Sequence, residues 1–564
     1  MSQETVPRPD PFAALGARPT HFNVASGLPR TAALRPDTPA VLHERGADTA
    51  RITFAELESR SNALARGLRE RGVRAGDRAC LFVRPGIDLI AFTYALFKLG
   101  AIPVLADPGM GRARLLAAIE RMAPRVFIGV PAAHAVRRVF SRPFRSVEVY
   151  VVAGRMFGLG GVELAQLLRS SDAPLDLEAT RADDPAAILF TSGSTGPPKG
   201  VLYTHGMFGA QVDALRALYQ FTPGEVDLAC FPLFALFDTA LEMTSVFPDM
   251  DVTRPSTCDP ARIVRAAQDH GATTSFGSPA IWRRVIPYCR EQGVKLSQMK
   301  RILMAGAPVP PALIRASHAV LELDADVFTP YGATEALPVS SIGGREIVPS
   351  LLDAIHAGAG TCVGRVAPGI DLRLITITDE PIERFDAALE VPLGQMGEVL
   401  VRGPVVTEEY AEEPEHTRRA KVRHTDGSVW HRLGDIGRID DDGRLWFLGR
   451  KAHRLETERG VRMPVPVENV FNQHPRVHRT ALVGIGPRGK ETPLLVVEPL
   501  PGHLPKGDVM TQAFIMQLRD IGRRTPRASD IEHFLFHPAF PVDVRHNAKI
   551  HSEELKRWAE AQVL

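Results

Sequence analysis

The sequence predicts an α/β protein. A large N-terminal domain of parallel sheets sandwiched by helices, with a small barrel-like region, precedes a small mobile α+β C-terminal domain. Three observations carry that prediction. Short apolar runs alternate with helical patterns over the first three quarters of the chain. Those runs are almost continuously apolar, as expected of strands covered by helices on both faces of a parallel sheet. From Gly397 the texture changes to short strands and turns, and from Arg450 the chain reads as a separate unit. The expected domains are therefore 1–449 and 450–564. In chain order, Thr53 with Glu56 three residues later forms a capping-box start. Leu57, Ser61, Leu64 and Leu68 then share one helical face, and Gly72 is placed to end the helix. Strands are expected at 79–83, 101–105, 125–130 and 148–152, then at 186–190, 227–231, 273–276 and 301–304. Shorter ones follow at 397–401 and 444–447. The apolar stretch 89–106 carries Lys98 and is broken by Gly100 and Pro103, so it reads as a buried helix followed by a strand.

Composition narrows the function. The 564 residues are 45% apolar and 23% charged, with 67 Lys+Arg against 65 Asp+Glu. A net charge of +2 lacks the cationic field of a nucleic-acid binder. The five cysteines (Cys80, Cys230, Cys258, Cys289 and Cys362) form no CxxC pair, which disfavours a zinc site or a disulfide framework. Residues 1–40 lack the basic-then-apolar order of a signal peptide, and no integral membrane segment is expected. A cytoplasmic protein fits.

The most informative segment follows the apolar run at 186–190. Thr191, Ser192, Gly193, Ser194, Thr195 and Gly196 lead through two prolines to Lys199 and Gly200. Hydroxyls, glycines free to turn, and one lysine make a cradle for phosphate: N–H and O–H donors surround the anion and the ammonium neutralises it. Gly200 after Lys199 departs from a Walker loop, and Thr195 between Ser194 and Gly196 departs from a hydrolase elbow. The segment instead resembles the signature of the adenylate-forming superfamily, which comprises acyl-CoA synthetases, luciferases and peptide-synthetase adenylation domains. The resemblance extends in order from Thr53 to Lys549. It implies a reaction that joins a carboxylate to ATP, with Mg²⁺, giving an acyl-adenylate and pyrophosphate.

By the same resemblance, Tyr331-Gly332-Ala333-Thr334-Glu335 places Tyr331 near adenine, Thr334 on the α-phosphate and Glu335 on Mg²⁺. A carboxylate suits that hard cation. Gly306, Ala307 and Pro308 would line the adenine pocket. Asp435, in Trp430-His-Arg-Leu-Gly-Asp435, would hold the ribose hydroxyls, with Leu433 where threonine is usual. Arg450 would contact ribose or phosphate at the domain junction. Lys549 would neutralise charge developing during adenylation, with Ala548 in place of the usual glycine.

Two departures bear on the second half-reaction. The block that gates the acceptor channel in many acyl-CoA synthetases reads Pro232-Leu233-Phe234-Ala235, without its histidine. The hinge reads Lys451-Ala452-His453. The flanks of these blocks are similar to the β-lactone synthetases of bacterial long-chain olefin biosynthesis. That similarity implies a β-hydroxy acid with two long alkyl arms, whose own hydroxyl expels AMP and closes the lactone without CoA. A tethered nucleophile makes such closure fast. The family works beside a thiolase, a reductase and a β-lactone decarboxylase. His205 is a candidate base, and Phe231, Phe234, Ala235, Phe276 and Gly277 are candidates for the acyl pocket. Two alternatives stand beside this reading: a long- or medium-chain acyl-CoA ligase, and a nucleotide-binding scaffold without turnover.

Overall fold

The computed structural model describes residues 20–106, 110–155, 158, 160–191, 198–543 and 550–563. Two seven-stranded sheets form the N-terminal body, and each is parallel except at one edge. The first runs in the order Val162–Glu163, Val149–Val152, Val126–Gly129, Arg78–Phe82, Ile102–Leu105, Pro185–Thr191, Lys199–Thr204. Its last pair is an antiparallel hairpin, with Thr191 opposite Lys199. The second runs Asp326–Phe328, Arg301–Met304, Thr274–Gly277, Val226–Leu228, Thr244–Phe247, Pro39–Arg45, Asp48–Thr53, and only the last strand is antiparallel to its neighbour. The helices Phe54–Arg69, Ile87–Lys98 and His205–Tyr219 pack into the core between them.

Local signals explain these elements. Thr53 Oγ1 accepts the Glu56 N–H at 3.2 Å, while the Glu56 carboxylate accepts the Thr53 N–H at 2.8 Å, so both capping-box bonds start the helix Phe54–Arg69. Leu57, Leu64 and Leu68 are wholly buried along its inner face. Lys98, in the apolar helix, is buried too, and donates to Glu58 and Asn62 at 2.6 Å each. A buried ammonium is tolerated only with such partners.

One strand differs from expectation. The run 227–231 is strand only to Leu228, and the Cys230 N–H bonds back to the Leu228 carbonyl at 2.8 Å. The chain turns there because Pro232 has no N–H to continue a ladder, and the turn aims the following aromatics into a cavity.

An eight-stranded antiparallel sheet spans Tyr331 to Arg450. Its strand Leu445–Arg450 runs one residue past the expected boundary at 449, and Arg450 pairs with Asp435 on Val429–Ile439. Past a short turn at Lys451–His453, the C-terminal unit is a three-stranded sheet (Val477–Ile485, Thr492–Pro499, His533–Phe536) with the helices Pro464–Phe471, Gly507–Gly522 and Ser552–Val563. Among the described residues, no helix is long and apolar enough to cross a membrane.

Candidate active site

In open α/β sheets, ligands sit beyond the carboxyl ends of the strands. Here the carboxyl ends of both N-terminal sheets face one cavity of about 2300 Å³. Leu81, Val83, Leu105, Val130 and Ala153 line a lobe over the first sheet; Cys230, Phe231, Phe234, Phe247 and Phe276 line a lobe over the second. The two meet where Lys199, Thr334, Glu335, Gly306, Gly434 and Arg450 come together.

The polar wall is cross-braced. Gly332 lies where an added Cβ would sit 2.6 Å from the Ala336 carbonyl oxygen, so the tight hairpin that presents Thr334 and Glu335 requires glycine. Tyr203, on the hairpin strand Lys199–Thr204, donates to the Thr334 carbonyl. Tyr410 donates to Glu335 Oε1 at 2.6 Å, and Thr407 holds the Glu335 carbonyl through its N–H at 2.9 Å and its hydroxyl at 3.2 Å. Lys199 Nζ stands 5.1 Å from the Tyr410 ring centroid, within cation–π range. Asp435 is buried; its Oδ2 accepts from Tyr331 Oη at 2.6 Å, and its Oδ1 forms an ion pair with Arg450 at 2.9 Å. Arg450 also reaches the Leu433 carbonyl at 3.2 Å. The apolar side chain of Leu433, at the position usually held by threonine, packs into the core of the third sheet.

The structure thus gathers Lys199, Gly306, Gly332, Ala333, Thr334, Glu335 and Arg450 at one cavity, with Tyr331 and Asp435 directly behind. Thr191 ends its strand opposite Lys199. Ala307 and Pro308 follow Gly306 in the chain but do not border the cavity. Ser192, Gly193, Ser194, Thr195, Gly196 and Lys549 lie outside the described residues.

Phe231, Phe234, Phe276 and Gly277 line the aromatic lobe. Phe234 and Phe276 stack at 4.5 Å with planes 3° apart, and Phe231 tilts against Phe276 at 5.7 Å. Ala235 departs from expectation: it opens the helix Ala235–Ala240, is wholly buried, and sits in the core behind the wall. His205 is corrected as well. As the first residue of its helix it is wholly buried and absent from the cavity lining; its Nδ1 accepts the Val24 N–H at 3.2 Å. Burial lowers it to about 4, a structural imidazole with no access to substrate.

Sequence reasoning missed two groups. Lys421 is buried and donates to Thr407, at both the carbonyl and the hydroxyl, bracing the residue that holds Glu335. Burial lowers it to about 7. His431 lines the cavity, and burial together with nearby Lys421 holds it well below its ordinary value, so it is neutral at neutral pH. Lys421 and His431 pair across the hairpin of Lys421–Arg423 with Val429–Ile439.

At the domain junction, the wholly buried Glu398 accepts from Arg432 at 2.8 and 3.0 Å and from Lys451 at 3.0 and 3.1 Å. Asp379 receives Arg454 and Arg488 at 2.6 Å each. Ser552 lies 3.4 Å from His453, which borders the cavity. The helix that follows the Lys549 segment is therefore docked at the cavity mouth.

A family model described as AMP-binding enzyme matches residues 28–411. The chain belongs to that family. It is 44% identical to an olefin β-lactone synthetase of Xanthomonas campestris, over 97% of this chain and 99% of that protein. A second olefin β-lactone synthetase, from Stenotrophomonas maltophilia, is 45% identical over 96% and 98%. A feruloyl-CoA synthase of Amycolatopsis is 29% identical over 85% of this chain and 89% of that protein. Among solved structures, an anthranilate CoA ligase in complex with anthranoyl-AMP superposes with a TM-score of 0.80 at 20% identity, over 97% of this chain and 99% of that one. That likeness shows the fold.

Proposed function

We propose that this protein activates a long-chain 2-alkyl-3-hydroxy acid with ATP and then closes it to a β-lactone. The carboxylate attacks the α-phosphorus and expels pyrophosphate; the substrate's own β-hydroxyl then attacks the activated carbonyl and expels AMP. The observation that carries this reading is near-full-length identity of 44–45% to olefin β-lactone synthetases, against 29% for a CoA-ligating relative. The cavity supports it: drug-sized ligands fill ~300–1,000 Å³, whereas this one offers about 2300 Å³ in two apolar lobes.

In this reading, Thr191 through Gly196 with Lys199 bind the phosphates, and Gly306, with Tyr331 behind the wall, frames adenine. Asp435 and Arg450 hold ribose. Thr334 meets the α-phosphate, and Lys549 stabilises the charge developing there. Among the described residues, no group of three His, Cys, Asp or Glu side chains could cage a metal. A single carboxylate completed by substrate phosphates is the usual Mg²⁺ donor set, and Glu335 fits it. When bound, Mg²⁺ would neutralise phosphate charge. Tyr410 and Thr407 keep the Glu335 carboxyl and carbonyl in place.

All five cysteines are free and buried. Together with the use of ATP, that supports a cytoplasmic enzyme; the resemblance to olefin β-lactone synthetases supports a place beside a thiolase, a reductase and a β-lactone decarboxylase. The test is purified protein with ATP, Mg²⁺ and the hydroxy acid, with CoA omitted. AMP and lactone forming together support the reading; AMP that appears only with CoA, alongside a thioester, makes the protein an acyl-CoA ligase.

A further inference from the structure

The helix His205–Tyr219 brings to the cavity one polar side chain that the protein uses only by half. Gln211 is 2% exposed and borders the cavity. Its Nε2 donates to the Leu337 carbonyl at 3.0 Å, tying the helix to the strand Ala336–Ser341. Its Oε1 is buried and accepts no hydrogen bond. Turning the amide over would not pair that oxygen, because it would then face the Leu337 carbonyl, acceptor against acceptor. Gln211 also borders a void of about 20 Å³ with Phe234, Phe276 and Leu303, and the lining there is almost wholly apolar. The wholly buried Asp227 and Asp238 carry oxygens without a hydrogen bond too, but neither borders the cavity.

A buried acceptor without a donor costs free energy that a bonded one does not, so its retention calls for a ligand that supplies the donor. Its position says which donor. Leu337, which holds the other end of the amide, lies two residues past Glu335, at most ~7 Å of chain. Leu337 also packs against Gly332, where an added Cβ would meet its Cδ1 at 3.0 Å. Gln211 therefore stands where the hairpin of Thr334 and Glu335 passes into the aromatic lobe of Phe234, Phe237 and Phe276. A carboxylate activated at that hairpin would send its carbon chain into the lobe. Its β-carbon is two carbons from the reacting centre, so a hydroxyl there meets the apolar lobe at its polar edge.

We propose that Gln211 binds the β-hydroxyl of the acid substrate, its Oε1 accepting the hydroxyl hydrogen so that the hydroxyl oxygen is aimed at the activated carbonyl. The proposal rests on the function proposed above and on the aromatic lobe being the acyl site. Giving its hydrogen to Oε1 leaves the hydroxyl's lone pairs free to face the carbonyl carbon. A neutral amide oxygen accepts a hydrogen bond without taking the proton, so Gln211 binds and orients and is not the base. An acid that lacks the hydroxyl leaves Oε1 unpaired. The same contact therefore sorts β-hydroxy acids from plain 2-alkyl acids.

The experiment is acid-dependent pyrophosphate exchange, comparing kcat/KM for a 2-alkyl-3-hydroxy acid with that for the 3-deoxy acid of the same carbon skeleton. Exchange needs neither CoA nor ring closure, so a failure to form lactone would strike the proposed function and leave this ratio readable. The wild type is expected to prefer the hydroxy acid about tenfold, the factor one hydrogen bond supplies. Gln211→Leu brings the ratio close to one, whereas a packing defect alone would lower both acids and leave the ratio in place. In Gln211→Glu a side-chain oxygen still accepts from the hydroxyl, so the preference is kept. Equal use of the two acids by the wild type overturns the proposal, as does a preference that survives in Gln211→Leu or is lost in Gln211→Glu.

Discussion

The polar wall and the aromatic wall of this cavity are built on opposite principles. The first is a lattice of short polar bonds onto fixed backbone: Tyr410 and Thr407 on Glu335, Tyr331 and Arg450 on Asp435. The second is stacked rings, Phe234 on Phe276 with Phe231 beside them. Directional bonds suit a ligand of constant shape, which ATP is. Packed rings suit alkyl chains, whose burial is non-directional and scales with area. Substitutions in the two walls should therefore divide between ATP and acid.

The largest effect is expected at Lys549. Lys549→Ala should slow adenylation by about 10²–10³, as removal of a transition-state donor does, and leave the ATP KM nearly unchanged. Single-turnover acyl-adenylate formation measures it, and an equal loss of ATP affinity and rate would contradict the role. Next comes Asp435→Ala. Losing bonds that involve a charged group costs about 1.5–3 kcal/mol, so the ATP KM should rise by roughly 10–100-fold while the acid KM holds. A matched rise in both would erase the distinction between the walls.

Phe276→Ala should do the reverse. It should raise the acid KM, spare ATP, and destabilise the fold by about 3–5 kcal/mol in chemical denaturation, the range for truncating a buried phenylalanine. The smallest effect is the pH slope of stability. A folded carboxyl that keeps its proton to about 7, against 3.8 for an ordinary one, contributes stability that is full below pH ~4. That contribution is lost as pH rises through about 7. Stability should fall across this window with a slope approaching about 1.4 kcal/mol per pH unit for one proton, and Asp238→Asn should flatten it. Urea melts at successive pH values decide the point.

The two walls also differed in how much of them could be read from the sequence. Gly332, Thr334, Glu335, Asp435 and Arg450 were legible because phosphate and ribose chemistry fixes residue type at short spacing, and the structure brings them together. Lys421 was not legible, because its partner Thr407 lies in a loop and the carboxylate it serves, Glu335, lies in a hairpin turn far away in the chain. Ala235 and His205 misled for a related reason: motif register gives nearness in the chain, while the turn after Leu228 and the start of the helix His205–Tyr219 decide which side chains reach the cavity. The parallel strands themselves were legible from their unbroken apolar runs, and Arg301–Met304 falls where expected.

The central claim is that the carboxylate is activated and the β-hydroxyl closes the ring. It is tested most directly by supplying the acid with ¹⁸O in the β-hydroxyl, together with ATP and no CoA, and weighing both products. Closure by the hydroxyl predicts that the label stays in the lactone ring oxygen and that AMP carries none. Label in AMP would show that the hydroxyl, rather than the carboxylate, was adenylated, and would contradict the account.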